Sequence, residues 1–422
     1  MAEVKPLNAL RYDPEVAGPL ESLIAPPYDV IDAQLRSQLV GQSPRNVVEV
    51  DLPEDPGGGD PYEHAADTLQ QWLAEGAVVR DDEPAFWVLE QDYAAPDGSQ
   101  RRRRGFFARV RVEDYGPGRI RPHERTHPGP KEDRLRLTRA TRANLSPIFS
   151  LFPDPGERAG KAIEQATADE PFARVADHEG TQNALWRVGD PASVQAFRDA
   201  LADAELLIAD GHHRYETARV YADEVGGAGE HRYVLMFLVS LSDPGLLVFP
   251  THRLLTGLES QTDKQQAIRR VLTEDFDVEP IDAAELEPTG DDAHVRLGYM
   301  DSFHKQAYAL TLKDQSIADE ALADKPAPYR RLDTAVLEAL VLKGALGMSE
   351  DDISHLRGLG YSKSFEDARD AVESGRADAG FFMRATPVDQ VREVAEAGES
   401  MPPKSTYFYP KVPTGLLFNP LA

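Results

Sequence analysis

Cysteine is absent from the chain. That removes disulfides, thiolate metal sites and a cysteine nucleophile. Long apolar runs are missing too, since nothing approaches the roughly 18 residues that span a bilayer. The first residues, "MAEVKPLNALRYDPEV", do not set a charged segment before an apolar one, so no secretory signal is expected. A cytoplasmic location and no membrane partner follow as expectations. Positive charge is short: 46 Lys and Arg stand against 72 Asp and Glu, a net charge of −26. Such a surface repels a phosphate backbone and argues against nucleic acid as partner. The densest basic run, "RRRR" at 101 to 104, reads as the start of a hairpin's second strand. It is expected on a solvated edge, where charge discourages strand pairing.

What is present suffices for a globule. With 422 residues, 41% of them hydrophobic, two or three domains or lobes are expected. "YEHAADTLQQWLAEGAVV" places its apolar residues on one helical face. "AFWVLEQDY" and "GFFARVRVEDY" flank a turn as a hairpin. Strands are predicted at "SPIFSLF", "ALWRVGD", "LLIAD" and "VLMFLVSL", with helices between them. After residue 262 helices and strands continue, from "DKQQAIRRVLTEDF" to "VDQVREVAEAG". Hairpins mixed with helices predict an α+β fold rather than a regular doubly wound sheet. The expected division is a domain over 1–260, an α+β lobe over 261–400 and a docked tail over 401–422.

Five stretches carry candidate chemistry. "LLIADGHHRYETARVY", 206 to 221, runs a buried strand into Asp-Gly and then into a helix. Free N–H groups and the helix dipole at such a junction attract anions. Gly211 permits a tight turn and close approach by a ligand. Arg214 can hold two phosphate oxygens, and His212 and His213 add donors. Asp210 is read as a metal ligand or a helix cap. The alternative is a capped helix with exposed histidines.

"IRPHERTHPGPKEDRLRL", 120 to 137, contains H-E-x-x-H, the zinc-protease signature. That signature works only on a helix, and Pro128 disfavours helix at His127. The segment is therefore read as a loop with at most about one helical turn. It offers His123, Glu124, Thr126, Lys131, Glu132, Asp133 and Arg134. Those groups suit a polyphosphate with magnesium and a hydroxyl to deprotonate, or simply a solvated charged loop.

In "IAPPYDVI", 24 to 31, two prolines fix the backbone and aim Tyr28 and Asp29. "SPRNVVEVDLP" puts Arg45 and Asn46 before an expected strand. The closing "MPPKSTYFYPKVPTGLLFNP" is rich in aromatic and aliphatic residues and should pack onto the fold. Lys404, Ser405, Thr406 and Lys411 then sit on a pinned tail within reach of an anion, with Lys404 expected to face the site.

"APPYDV", "HERT…KEDR", "IADGHHRYETA" and "MPPKST.F.PK…GL" occur in that order between residues 25 and 418. Together they resemble a bacterial and archaeal family catalogued as domain of unknown function ten-fifteen. Its DGHHR box is similar to the Gly-x-x-Arg boxes of the ParB/sulfiredoxin superfamily, whose free-serine kinase branch carries a closely similar Asp-Gly-His-His-Arg. The resemblance implies a ParB/sulfiredoxin-like nucleotide-binding core in 1–260, with Gly211, His212, His213 and Arg214 on nucleotide phosphates. The chain departs from sulfiredoxin in lacking cysteine, and from ParB in its acidity.

The expected function is a nucleotide-dependent phosphotransferase, a small-molecule kinase acting on a hydroxyl compound such as free serine. ATP or ADP is the expected nucleotide, with CTP as an alternative, and Mg2+ would be held by Asp210 or Glu124. Glu124 is the first candidate base and Asp29 the second, with His123 beside them. Lys131, Arg134 and Lys404 would offset charge on the transferred group. The alternatives are a ParB-like nucleotide-binding switch without kinase activity, and a metal-dependent hydrolase using His123, Glu124 and His127. Self-association is left open.

Overall fold

The computed structural model describes residues 2–54, 57–95, 98–124, 128–202, 204–289 and 294–422, without the side chains of 128–130. The fold is mixed α+β. The described residues fall into two compact units. The first takes those within 1–122, 126–246 and 410–422; the second takes those within 123–125 and 247–409.

The first unit is built on a nine-stranded mixed sheet. Its main path runs Ile120–Arg121, Leu206–Asp210, Ile148–Phe152, Tyr233–Ser240, Gln100–Arg111, Phe86–Ala94, Gln182–Val188, Ala173–Ala176. Val4–Lys5 adds a short antiparallel partner to Gln100–Arg111. Neighbours pair antiparallel except Leu206–Asp210 with Ile120–Arg121 and Tyr233–Ser240 with Ile148–Phe152, which are parallel. One face packs Phe86, Phe106 and Phe152 against Phe197 of the helix Pro191–Leu201 and Ile163 of the helix Arg158–Ala166. A second core gathers Leu69 and Trp72 of the helix Pro61–Ala74 with Tyr12, Val47 and Phe418. The expected face of that helix is the buried one, with Ala65, Leu69 and Trp72 inward. Asp60 caps it by accepting the Tyr62 N–H at 2.8 Å.

Three local expectations are corrected. The arginine run does pair on one side only, because Tyr233–Ser240 matches its strand no further than Gly105 while Phe86–Ala94 pairs with all four arginines, but the run is not wholly solvated. Strand alternation splits the run by face. Arg102 and Arg104 meet Asp92 and Glu90. Arg103 is fully buried, bonded through Nε to Gln91 Oε1 at 3.1 Å and lying 4.6 Å over the Phe149 ring. The 120–137 segment is not one loop, since a helix covers Pro128–Thr141. Proline disfavours helix in the residue before it, but fits the first turn, where N–H groups lack acceptors anyway. No single apolar stripe marks this helix because it is wedged between neighbours. Leu135 packs with Tyr221 and Leu137 joins the Trp72 core, while Arg139 pairs with Glu224 on one side and Arg136 with Asp60 on the other. The "VVEVD" stretch is a helical turn, Val48–Asp51, rather than a strand. Asn46 starts it by accepting the Val48 N–H and donating to the Ser22 and Ile24 carbonyls.

The second unit carries an antiparallel sheet in the order Phe276–Ile281, Ala307–Leu312, Arg296–Asp301, Ala379–Phe382, His252–Leu255, Leu359–Ser362. The helix Phe365–Glu373 covers it, capped by Ser364. The tail strand Tyr407–Tyr409 pairs with Leu247–Phe249. Among the described residues, no helix is long and apolar enough to cross a membrane.

Candidate functional site

The strand Leu206–Asp210 buries its first four residues and ends at Asp210. Gly211 follows at φ +95°, and the helix His212–Val225 begins at once. Gly211 is needed twice over. Its backbone lies in the left-handed region, and a Cβ there would meet Arg214 Nε at 2.9 Å. No side chain caps the helix, so Asp210 does not act as its cap. The first-turn N–H groups have no acceptor within the helix itself.

Arg214 folds back over this turn. Its Nη2 donates to Asp210 Oδ2 at 2.5 Å and its Nη1 to the Pro147 carbonyl. Its Nε is buried with no partner among the described residues. The other carboxylate oxygen of Asp210 accepts Lys411 Nζ at 2.6 Å. Burial alone would raise the Asp210 pKa, but Lys411 and Arg214 outweigh it and hold the carboxyl well below its usual range. His212 is buried beside this group and His213 is half-buried.

Pro26 and Pro27 are buried and lead into a 3-10 turn, Tyr28–Val30. The Tyr28 ring lies 4.2 Å from the Arg134 guanidinium and 5.9 Å from that of Arg214. Burial pushes the Tyr28 hydroxyl up to about 12. Asp29 is exposed, and its charge is felt at Arg214. Arg134 is buried and engaged, donating to the Asp51 carbonyl at 2.5 Å and to Asp133 Oδ2 at 2.7 Å. It therefore clamps its helix onto the Val48–Asp51 turn. Lys131 sits one turn earlier, where its carbonyl meets Thr217 Oγ1 at 3.4 Å. Beside Arg214 is a small cavity of about 40 Å³, lined among others by Asp51, Arg134, Ser146 and Thr217.

Asp29, Lys131, Arg134, Asp210, Gly211, His212, His213 and Arg214 thus share the first unit. His123, Glu124 and Lys404 belong to the second. There His123 is buried, with Nε2 2.9 Å from Thr406 Oγ1 and its carbonyl accepting the Met401 N–H at 2.7 Å. Glu124 bridges to Met401, and its Oε1 accepts the Lys404 N–H at 3.3 Å. Lys404 is exposed at φ +57°. His123 and Glu124 are extended rather than helical, which the zinc-protease motif does not allow. Thr126 and His127 lie outside the described residues. Among the described residues, no three His, Asp or Glu side chains gather as a metal site. Asp51, which binds Arg134 and accepts Ser146 Oγ at 2.7 Å, escaped the sequence reading because its segment looked like a strand.

A family model described as protein of unknown function, DUF1015, matches residues 4–335. The chain belongs to that family. No curated protein matches this DUF1015 member. Among solved structures, it is similar to a conserved hypothetical protein from Pyrococcus furiosus at 17% identity and a TM-score of 0.37, covering 70% of this chain and 90% of that one. A free serine kinase in complex with AMP is similar at 16% identity and a TM-score of 0.36, covering 69% and 83%. SbnI with a C-terminal truncation, from Staphylococcus aureus, is similar at 10% identity and a TM-score of 0.37, covering 72% and 84%.

Proposed function

We propose that this DUF1015 member is a nucleotide-dependent phosphotransferase acting on a small hydroxyl compound, with free serine among the candidate acceptors. The observation that carries the reading is the Asp210–Arg214 junction. An uncapped helix start, a glycine that lets a ligand approach, and two cations already gathered on one carboxylate suit a nucleotide's phosphates. In this reading the first unit holds a ParB/sulfiredoxin-like core, and ATP or ADP sits with its phosphates against residues 211 to 214.

The two cations shift from Asp210 to the phosphates as the nucleotide binds. Asp210 would then help hold magnesium, which would supply charge neutralisation on the phosphate oxygens. The acceptor hydroxyl attacks the terminal phosphorus, the bond to the bridging oxygen breaks, and the shortened nucleotide leaves. The hydroxyl proton passes to a carboxylate, with Asp29 as the candidate in this unit. Asp29 has the merit of acting on Arg214 within the same unit. Lys131 offsets charge from the first helical turn beside Thr217.

Calorimetry with ATP, ADP and CTP on wild type and Arg214→Ala tests the phosphate assignment. A loss of about tenfold or more in the variant is expected, and equal affinities would defeat it. Radiolabelled ATP offered with amino acids and polyols then tests transfer. Tight binding with no labelled product would favour a nucleotide-binding switch instead.

A further inference from the structure

The strand His252–Leu255 brings two polar side chains into the interior of the second unit. Alternation sends them to opposite faces. His252 packs between Phe365 and Phe382, and its Nδ1 accepts the Met383 N–H at 3.1 Å. Arg253 is only 3% exposed on the other face. Arg134 and Arg214 each have a carboxylate partner, but among the described residues Arg253 has none within ion-pair distance.

What holds Arg253 is backbone. One terminal nitrogen donates to the Thr251 carbonyl and the other to the Pro403 carbonyl at a long 3.3 Å, while the guanidinium lies 5.4 Å over the Tyr361 ring. Carbonyls satisfy N–H groups without cancelling the charge. Burial pulls the pKa down, with Tyr361, Glu338 and Glu124 opposing it from a distance. A guanidinium stays charged at any ordinary pH, so this charge sits buried without a counter-ion. Its planar fork matches a carboxylate, and a ligand carboxylate would repay its desolvation.

The loop over it is fixed in advance. Ser405 Oγ bonds Thr334 Oγ1 at 3.0 Å, the Ser405 carbonyl accepts Thr386 Oγ1 at 2.8 Å, and Glu124 holds the Lys404 N–H. Glu124 and Glu338 lie within electrostatic reach of the guanidinium. Two carboxylates disfavour a polyanion such as a nucleoside triphosphate. They tolerate a monocarboxylate, and they favour one that also carries an ammonium group. We infer that Arg253, within the second unit, anchors the carboxylate of a small monocarboxylate ligand.

The test is calorimetry on the full chain, with and without ADP and magnesium. The probes are D-glycerate, L-lactate, L-serine, L-threonine and L-homoserine, with glycerol and L-serinamide as neutral counterparts. At least one carboxylate is expected to bind, its neutral counterpart at least about tenfold more weakly. Arg253→Lys should weaken the carboxylate by a similar factor and leave ADP affinity unchanged. The ligand comparison uses wild-type protein, so a misfolded variant cannot obscure it. Binding that ignores the carboxylate, or no binding by any probe, overturns the inference. If a carboxylate binds through Arg253 while no nucleotide binds, the inference stands and the phosphotransferase reading falls.

Discussion

The Lys411 ammonium and the Asp210 carboxylate, 201 positions apart, meet at 2.6 Å. The contact ties the tail to the strand–helix junction. From the same residue, the Lys411 carbonyl accepts Gln91 Nε2 at 3.3 Å, and Gln91 in turn holds the buried Arg103. A chain of polar contacts thus runs from the centre of the sheet, through the tail, to the candidate phosphate box.

Asp210 serves two cations, so its substitution and that of Lys411 should differ in cost. Lys411→Met leaves Asp210 paired with Arg214 and should cost about 1–3 kcal/mol. Asp210→Asn removes the carboxylate that Arg214 and Lys411 share and should cost about 3–5 kcal/mol. Urea unfolding of the two variants checks the order. A smaller loss for Asp210→Asn would show that the pair is solvated in solution.

Two half-buried carboxylates should give opposite pH signatures. Asp210 is held below its ordinary value of about 4, its burial outweighed by Lys411 and Arg214. Stability from a depressed carboxylate is complete above the unfolded value and drains away as pH falls through the folded one. The gap between wild type and Asp210→Asn should therefore be widest near neutrality and shrink below about pH 4. Asp243 is pushed up to about 6 by burial, against the Gly245 and Arg104 N–H groups it accepts. A raised carboxylate adds its penalty as pH climbs from the unfolded value to the folded one. Asp243→Asn should gain on wild type between about pH 4 and pH 6 and then level off. Unfolding midpoints over that range measure both.

The junction at 206 to 221 was legible because each part of it is local. Four apolar residues make a strand, Asp-Gly makes a turn, and the helix pattern starts after it. What Arg214 does there was not legible, since its partners Asp210 and Pro147 are set by the fold. The same limit hid the buried Arg103, which reads as surface charge until its pairing with Gln91 across the sheet is known. The helix Pro128–Thr141 was hidden for another reason. Its arginines, not an apolar stripe, hold it between neighbouring elements. Lys404 was the tail lysine expected to face the site, and only pairing geometry shows that Lys411 is the one that reaches the junction. Arg253 left no signal at all, because a lone Arg in a short strand looks like surface charge.

The tail should be structural as well as positional. Phe418 is fully buried, its ring lies edge-on to Tyr12 at 5.8 Å, and its backbone exchanges hydrogen bonds with Leu10 at 2.8 and 3.0 Å. Phe418→Ala should cost about 3–5 kcal/mol through the lost burial and the cavity left behind. Chemical denaturation measures it, and limited proteolysis should cut the variant's tail sooner. A cost near zero would mean the tail is not docked in solution.

Gly211→Ala separates shape from charge. The substitution keeps every cation at the junction and changes one hydrogen to a methyl. That methyl meets two objections. At φ +95° the backbone disfavours any side chain, and Arg214 Nε lies 2.9 Å from where the carbon must go. The backbone strain should cost about 1–2 kcal/mol, measurable by denaturation. The larger effect falls on the ligand, since relieving the clash swings the guanidinium away from the helix start. Nucleotide affinity should drop about tenfold or more, with the acidic unfolding profile moving towards that of Asp210→Asn as the Arg214 contact loosens. Unchanged affinity together with a normal loss of stability would place the phosphates somewhere other than this turn.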